Sequence, residues 1–215
     1  MIFDRKAHWI DPDSDSPEIR AINDGRLHRY SQAKFYLTLN VGEKMMRSIE
    51  HRFPDKDAAI LEYGCNTGRC LAALYRMGYT NLTGIEISPK AIALGVKSFP
   101  KEMQHIKIIN APIEDVVKDL PQFQVIYGVG VLMHLPHDLD WVIPELVNHS
   151  DYLVMTSENE VDEDGYFKWK RNYQDIIEPL GWTQIELERG DKYPPYPATT
   201  YKRVFIKDDK PTNID

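Results

Sequence analysis

The chain has 215 residues, 42% hydrophobic and 27% charged, with a formal net charge of −7. These proportions are those of a globular domain, and the acidic balance argues against a broad footprint on nucleic acid, where Lys and Arg must neutralise phosphates. No apolar run reaches the roughly 18–20 residues of a membrane span and the N-terminal residues lack the apolar stretch of a secretory signal, so a cytoplasmic chain with one core and an appendage is expected.

Residues 1–23 carry Pro12 and Pro17 among Asp11, Asp13, Ser14, Asp15 and Ser16, a composition that favours turns and reads as an arm. From 31 to 53, Phe35, Leu37, Leu39, Met45, Met46, Ile49 and Phe53 recur at three- and four-residue spacing, predicting one or two helices before the core. Short apolar runs then alternate with helical patterns, the rhythm of a parallel sheet wrapped by helices. Strands are expected at 58–63, 82–87, 106–109, 123–128 and 152–156, and helices after Gly68, at Ser88-Pro89, near Glu114 and near Asp138. A polar stretch, 157–165, reads as loop; a helix follows over 167–180 to Gly181, and runs at 182–188 and 200–207 read as an antiparallel pair. The organisation is an arm and helical cap at 1–53, a core at 54–207 and a frayed tail at 208–215.

The segment AAILEYGCNTGRCLAAL runs from an apolar strand ending in Glu62 through Gly64, Cys65, Asn66, Thr67 and Gly68 into a helix. In an open α/β sheet ligands bind beyond the carboxyl ends of strands, and Gly64 and Gly68 let backbone approach a ligand closely. A tight turn without ligand explains the same residues. The next strand, LTGIEIS, ends in Glu86, an acid placed to accept both ribose hydroxyls of an adenosine. A nicotinamide dinucleotide would use the same acid, but EYGCNTG lacks the GxGxxG spacing that seats a pyrophosphate. Cys65 and Cys70 share this one turn and are not expected to form a metal or redox pair.

These residues resemble the first motifs of the class I S-adenosylmethionine-dependent methyltransferases, typically (D/E)xGxGxG, with Asn66 in place of the middle glycine. The resemblance continues in order through IINAPIEDV and FQVIYGVGVLMHLP, over about residues 58–157. It implies an α/β, Rossmann-like, mostly parallel seven-stranded sheet flanked by helices, with an antiparallel C-terminal strand and an N-terminal helical cap. It further implies S-adenosyl-L-methionine as cofactor and S-adenosyl-L-homocysteine as product. Glu62, Gly64 and Gly68 would line the methionine end, Glu86 would hold the ribose with Ile87 against the adenine, Ile113 would pack on adenine, and Cys65, Asn66 and Gly128 would also bind the cofactor. Where the family often has an acid after the third strand, this chain has Ala111-Pro112-Ile113, with Glu114 as a shifted partner or simply a helix start.

After the fourth strand, Tyr127-Gly128-Val129-Gly130 is neither the (D/N)PP(Y/F/W) motif that holds planar amino groups nor an acid of the magnesium-dependent type, so no metal is expected. Glu158-Asn159-Glu160 reads as solvated loop or substrate rim. His134 would stand at the pocket mouth as a general base, or as a loop histidine bonded to backbone. Two basic-aromatic clusters suggest an acceptor lid in which Arg29, Tyr30, Tyr36, Trp169, Arg171 and Tyr173 would bind an acceptor bearing carboxylate or phosphate, unless they are solvated surface. The expected function is methylation of a small molecule at oxygen, with no membrane or nucleic-acid partner. RNA or protein methylation, cofactor binding without turnover, and nicotinamide-dependent oxidoreduction are the rivals.

Overall fold

The computed structural model describes residues 43–159, 164, 168–189 and 200–210. The arm, the start of the predicted cap, Arg29, Tyr30 and Tyr36 lie outside them. Helix α1 (Glu43–Arg52) is followed by β1 (Ile60–Tyr63), α2 (Arg69–Arg76), β2 (Leu82–Glu86), α3 (Pro89–Ser98), the single turn α4 (Pro100–Met103) and β3 (Lys107–Asn110). Then come the turn α5 (Ile113–Val116), β4 (Phe123–Val129), α6 (Val142–Asn148), β5 (Ser150–Asn159), α7 (Tyr173–Ile177), β6 (Trp182–Arg189) and β7 (Thr200–Lys207).

The strands form one seven-stranded sheet in the order β3-β2-β1-β4-β5-β7-β6. The first five are parallel, and β7 runs antiparallel between β5 and β6. Because side chains alternate across a strand and helices cover both faces, each central strand feeds two cores, which is why its sequence reads as a continuous apolar run. Leu61, Tyr63, Ile126, Val154 and Phe205 enter one core with α6 and α7, whereas Ile60, Val125, Tyr127, Leu153, Met155 and Val204 enter the other with α1 and α2. Helix α1 docks through Met45, Met46 and Ile49, the stripe set by its helical spacing.

Three elements depart from the sequence reading. Strand β5 runs on through Glu158 and Asn159, where a polar loop is expected, because β7 pairs with it residue by residue from Leu153↔Ile206 to Asn159↔Thr200 and so satisfies its backbone. Helix α7 begins only at Tyr173, capped by the Asn172 side chain on the Gln174 amide, because residues 168–171 lie against the loop after β4. It gives way to a 3₁₀ turn, Glu178–Leu180, closed by left-handed Gly181. Helix α6 starts at Val142 rather than near Asp138, which lies in a separate 3₁₀ turn.

The sheet order reverses at β1, which lies between β2 and β4. Ligands bind in such sheets at the crevice beyond the carboxyl ends of these strands.

Candidate functional site

At that crevice buried Glu62 stands one residue before the end of β1, and the chain turns through three left-handed residues, Gly64 (φ 65°), Asn66 (φ 51°) and Gly68 (φ 66°), before α2 begins. Only glycine adopts this region freely, and asparagine is among the few side chains that tolerate it. The space a β-carbon would take at Gly64 is filled by Val131, and at Gly68 by Met103, so both glycines are fixed by packing of the protein itself. The turn is closed by Gly68 N–H donating to Cys65 O at 2.8 Å and tied to β2 by Cys65 N–H donating to Ile85 O at 2.9 Å.

Glu86 ends β2 and receives the Asn66 amide on one carboxylate oxygen and the Ser88 amide on the other, each at 2.8 Å. Ser88 caps α3 by accepting the Ala91 amide, with Pro89 in the first turn, so the same short segment both starts a helix and fixes the acid. The Asn110 side chain, at the end of β3, donates to the Glu86 and Ile87 carbonyls at 2.8 and 3.1 Å and pins the chain beyond the acid. Burial raises the Glu86 carboxyl pKa, opposed by these amides.

The crevice opens into a cleft of about 970 Å³ that is continuous with solvent. Its lining comes from the turn after β1 (Glu62, Gly64, Cys65, Asn66, Thr67, Arg69 and Cys70) and from the ends of β2 and β3 with the residues beyond them (Ile85, Glu86, Ile87, Ala111, Pro112 and Ile113). Val129, Gly130, Val131, His134 and Leu135 make the facing wall. Burial pushes the Glu62 carboxyl up to about 8, against the nearby Tyr127 hydroxyl and Arg69 guanidinium. Two buried oxygens of cleft residues, Glu62 Oε2 and Thr67 Oγ1, have no hydrogen-bond partner among the described residues. Buried acceptors of this kind normally find a partner, so a ligand with donors is the natural complement. Cys65 and Cys70 are buried thiols not joined in a disulfide, and burial raises their pKa values.

Of the residues expected to hold cofactor, Glu62, Gly64, Cys65, Asn66, Glu86, Ile87 and Ile113 thus line one cleft, and His134 stands on its wall. Gly68 shapes the turn without lining the cleft. Gly128 does not reach it either, because a β-carbon there would overlap the Tyr63 ring, so the residue is small to let β1 and β4 pack. Glu114 is likewise absent from the lining. Two acceptor candidates are corrected. Arg171, with its side chain only 2% exposed, is spent on the Leu132 and Leu135 carbonyls and on Asp140, and Tyr173 is buried in the core. Trp169 is half-buried and holds the Met133 carbonyl through its backbone amide at 2.9 Å. Glu158 is no solvated rim; it is fully buried. Arg69, Val131 and Leu135 were not singled out by the sequence, and Thr67 was read only as part of the turn. Gly130, left-handed at φ 67°, was the one local signal that the wall begins there.

Among the described residues no group of three or more His, Cys, Asp or Glu could hold a metal ion, and no helix is long and apolar enough to cross a membrane.

A parallel sheet reversing at β1, with one acid after that strand and a second after its neighbour, defines a Rossmann-like nucleoside-binding domain whose first turn is not built for a pyrophosphate. The family profile described as "Methyltransferase domain" matches residues 60–150, which span both acids and the cleft wall. The chain belongs to the class I S-adenosylmethionine-dependent methyltransferases. Among curated proteins it is similar to EEF1A lysine methyltransferase 2 of Homo sapiens, 36% identical over 152 residues, covering 68% of this chain and 59% of that protein. The Mus musculus counterpart is 28% identical over 154 residues, so the chain spans little more than half the length of these relatives, 57% in the mouse case. Among solved structures, magnesium protoporphyrin IX methyltransferase of Synechocystis PCC 6803 with bound cofactor shares the fold at a TM-score of 0.60 and 13% identity, over 95% of this chain and 98% of that one. The [4+2]-cyclase SpnF has the same TM-score, 0.60, at 13% identity over 77% of this chain and 80% of that one. The fold therefore also occurs in a protein titled for different chemistry, and the reaction has to be argued from the site.

Proposed function

We propose that this chain methylates an acceptor bound at the cleft mouth, using S-adenosyl-L-methionine. The observation that carries this reading is the pair of buried acids lining one cleft, Glu62 with an oxygen that has no partner among the described residues and Glu86 held by two amides. Glu62 would accept from the ammonium of the methionine moiety, Glu86 from the ribose hydroxyls, and Ile87 and Ile113 would flank the adenine. When bound, the cofactor supplies a methyl group already activated on a sulfonium. The protein's part is to orient the acceptor and exclude water, which Val131 and Leu135 on the wall suit. His134 stands where it could take the proton that an acceptor loses.

A second point concerns the acceptor, and here we infer a protein lysine rather than the small-molecule oxygen expected from the motif after β4. The human and mouse lysine methyltransferases align over 68% of this chain. The net charge of −7 favours approach by a cationic side chain. With Arg171 committed to loop carbonyls, the case for an anionic acceptor loses one of its two arginines.

Incubation with methyl-labelled cofactor and a lysate of the source cells, followed by separation into protein, RNA and small-molecule fractions, tests both points. Label on lysine in the protein fraction is the expected result. Label confined to small molecules returns the acceptor to the oxygen reading, and failure of the pure protein to bind S-adenosyl-L-homocysteine overturns the cofactor assignment.

A further inference from the structure

The wall of the cleft is gripped at both polarities of its backbone. Glu158, at the end of β5, is 0% exposed and gathers three successive amides: Oε1 accepts from Val131 at 3.2 Å and Leu132 at 3.1 Å, and Oε2 from Val131 at 3.0 Å and Met133 at 3.2 Å. On the carbonyl side Arg171 donates to Leu132 O at 3.1 Å and Leu135 O at 2.6 Å, and the Trp169 amide to Met133 O at 2.9 Å. No residue of this clamp lines the cleft except through the loop it holds.

We propose that Glu158 is a positioning residue, which by gathering the Val131, Leu132 and Met133 amides fixes the wall carrying Val131, His134 and Leu135 and so sets the affinity of the cleft for its ligand. The inference rests on the cofactor reading above. Val131 fills the space a side chain on Gly64 would need, so the wall is packed directly on the first turn and a displacement of one changes the width of the methionine end. A carboxylate is suited to the task because it offers two oxygens as acceptors only, enough for three converging N–H groups.

The clamp responds to pH. Facing the carboxylate are the three amides, Arg171 before α7, and the hydroxyl of Tyr63 from β1, which in turn neighbours Tyr173 from α7. Burial pushes Glu158 up to about 7, against the amides and the Arg171 guanidinium. Above that value the carboxylate holds the loop. As pH falls through it, one oxygen becomes a donor and the threefold acceptance is lost.

The test titrates S-adenosyl-L-homocysteine into the full wild-type chain, Glu158→Gln and Glu86→Ala at about pH 8.5 and about pH 6. Glu158→Gln is expected to bind at least about tenfold more weakly than wild type at the higher pH, the effect of one charged hydrogen bond, and to converge on wild type at the lower. Titration of Glu62 is common to both proteins and drops out of their ratio. A parallel loss at both pH values marks a merely structural residue and overturns the proposal, as does no loss at either. Glu86→Ala separates the two readings: if it binds normally, or if wild type does not bind, the cofactor assignment fails. Amide exchange then still decides the clamp and serves also if Glu158→Gln does not fold. In wild type, protection of the Val131, Leu132 and Met133 amides relative to that of Cys65 should fall together below about pH 7. Unchanged relative protection overturns the proposal.

Discussion

Replacing Glu86 by alanine separates cofactor binding from fold most directly. In the free protein the carboxylate already holds two amides at 2.8 Å, from Asn66 and Ser88, and is 7% exposed, so its desolvation cost precedes ligand binding. Two hydrogen bonds from ribose hydroxyls to a charged acceptor are worth about 1.5–3 kcal/mol each. Their loss corresponds to an increase in Kd of about 100-fold at the lower end, at about 1.4 kcal/mol per decade. The same substitution strands two backbone amides, costing about 1–3 kcal/mol of stability each. Glu86→Gln is the control, since its remaining oxygen can still accept from one amide. Calorimetric titration with S-adenosyl-L-homocysteine, alongside circular dichroism and urea denaturation, measures both effects. A folded Glu86→Ala protein whose affinity stays within about twofold of wild type would refute the ribose assignment.

Stability should fall as pH rises from about 5 to about 9: Glu62 and Glu158, raised from 4.5 to about 8 and about 7, hold protons more tightly folded than unfolded, so their contribution is greatest below the unfolded value and lost as pH passes through the folded ones. The slope, on the order of 1 kcal/mol per pH unit per group, is read from urea midpoints and should flatten in Glu62→Gln; an unchanged slope there would contradict the burial argument. Gly128→Ala should lower the free energy of unfolding by about 1–3 kcal/mol by forcing a methyl group into the Tyr63 ring, while leaving ligand affinity in the folded protein near wild type, because residue 128 does not line the cleft. Selective loss of affinity without loss of stability would return Gly128 to the site.

The sequence carried the cofactor end of the site because that end is local. A strand, a turn of permissive residues and a helix start are written in consecutive positions, so Glu62, Gly64 and Asn66 could be placed without tertiary information, and Ser88-Pro89 placed Glu86 just before its helix. The adenine side was legible only in part: Ile113 lines the cleft as expected, whereas Asn110, which pins the backbone past Glu86 from the next strand, has no local pattern to mark it.

What the chain by itself determined is the order of strands and helices and the two acids at the ends of β1 and β2, since alternation of apolar runs with capped helices depends on neighbours in sequence. Tertiary structure alone decided the facing wall. Glu158 sits 25 residues or more along the chain from each of the amides it holds, and Arg171 36 or more from the carbonyls it binds. In sequence both look like solvated charge beside polar and aromatic neighbours. They become buried because β7 extends β5 past its apolar run and residues 168–171 fold back over the loop, bringing a carboxylate and a guanidinium to backbone groups that would otherwise be buried without partners.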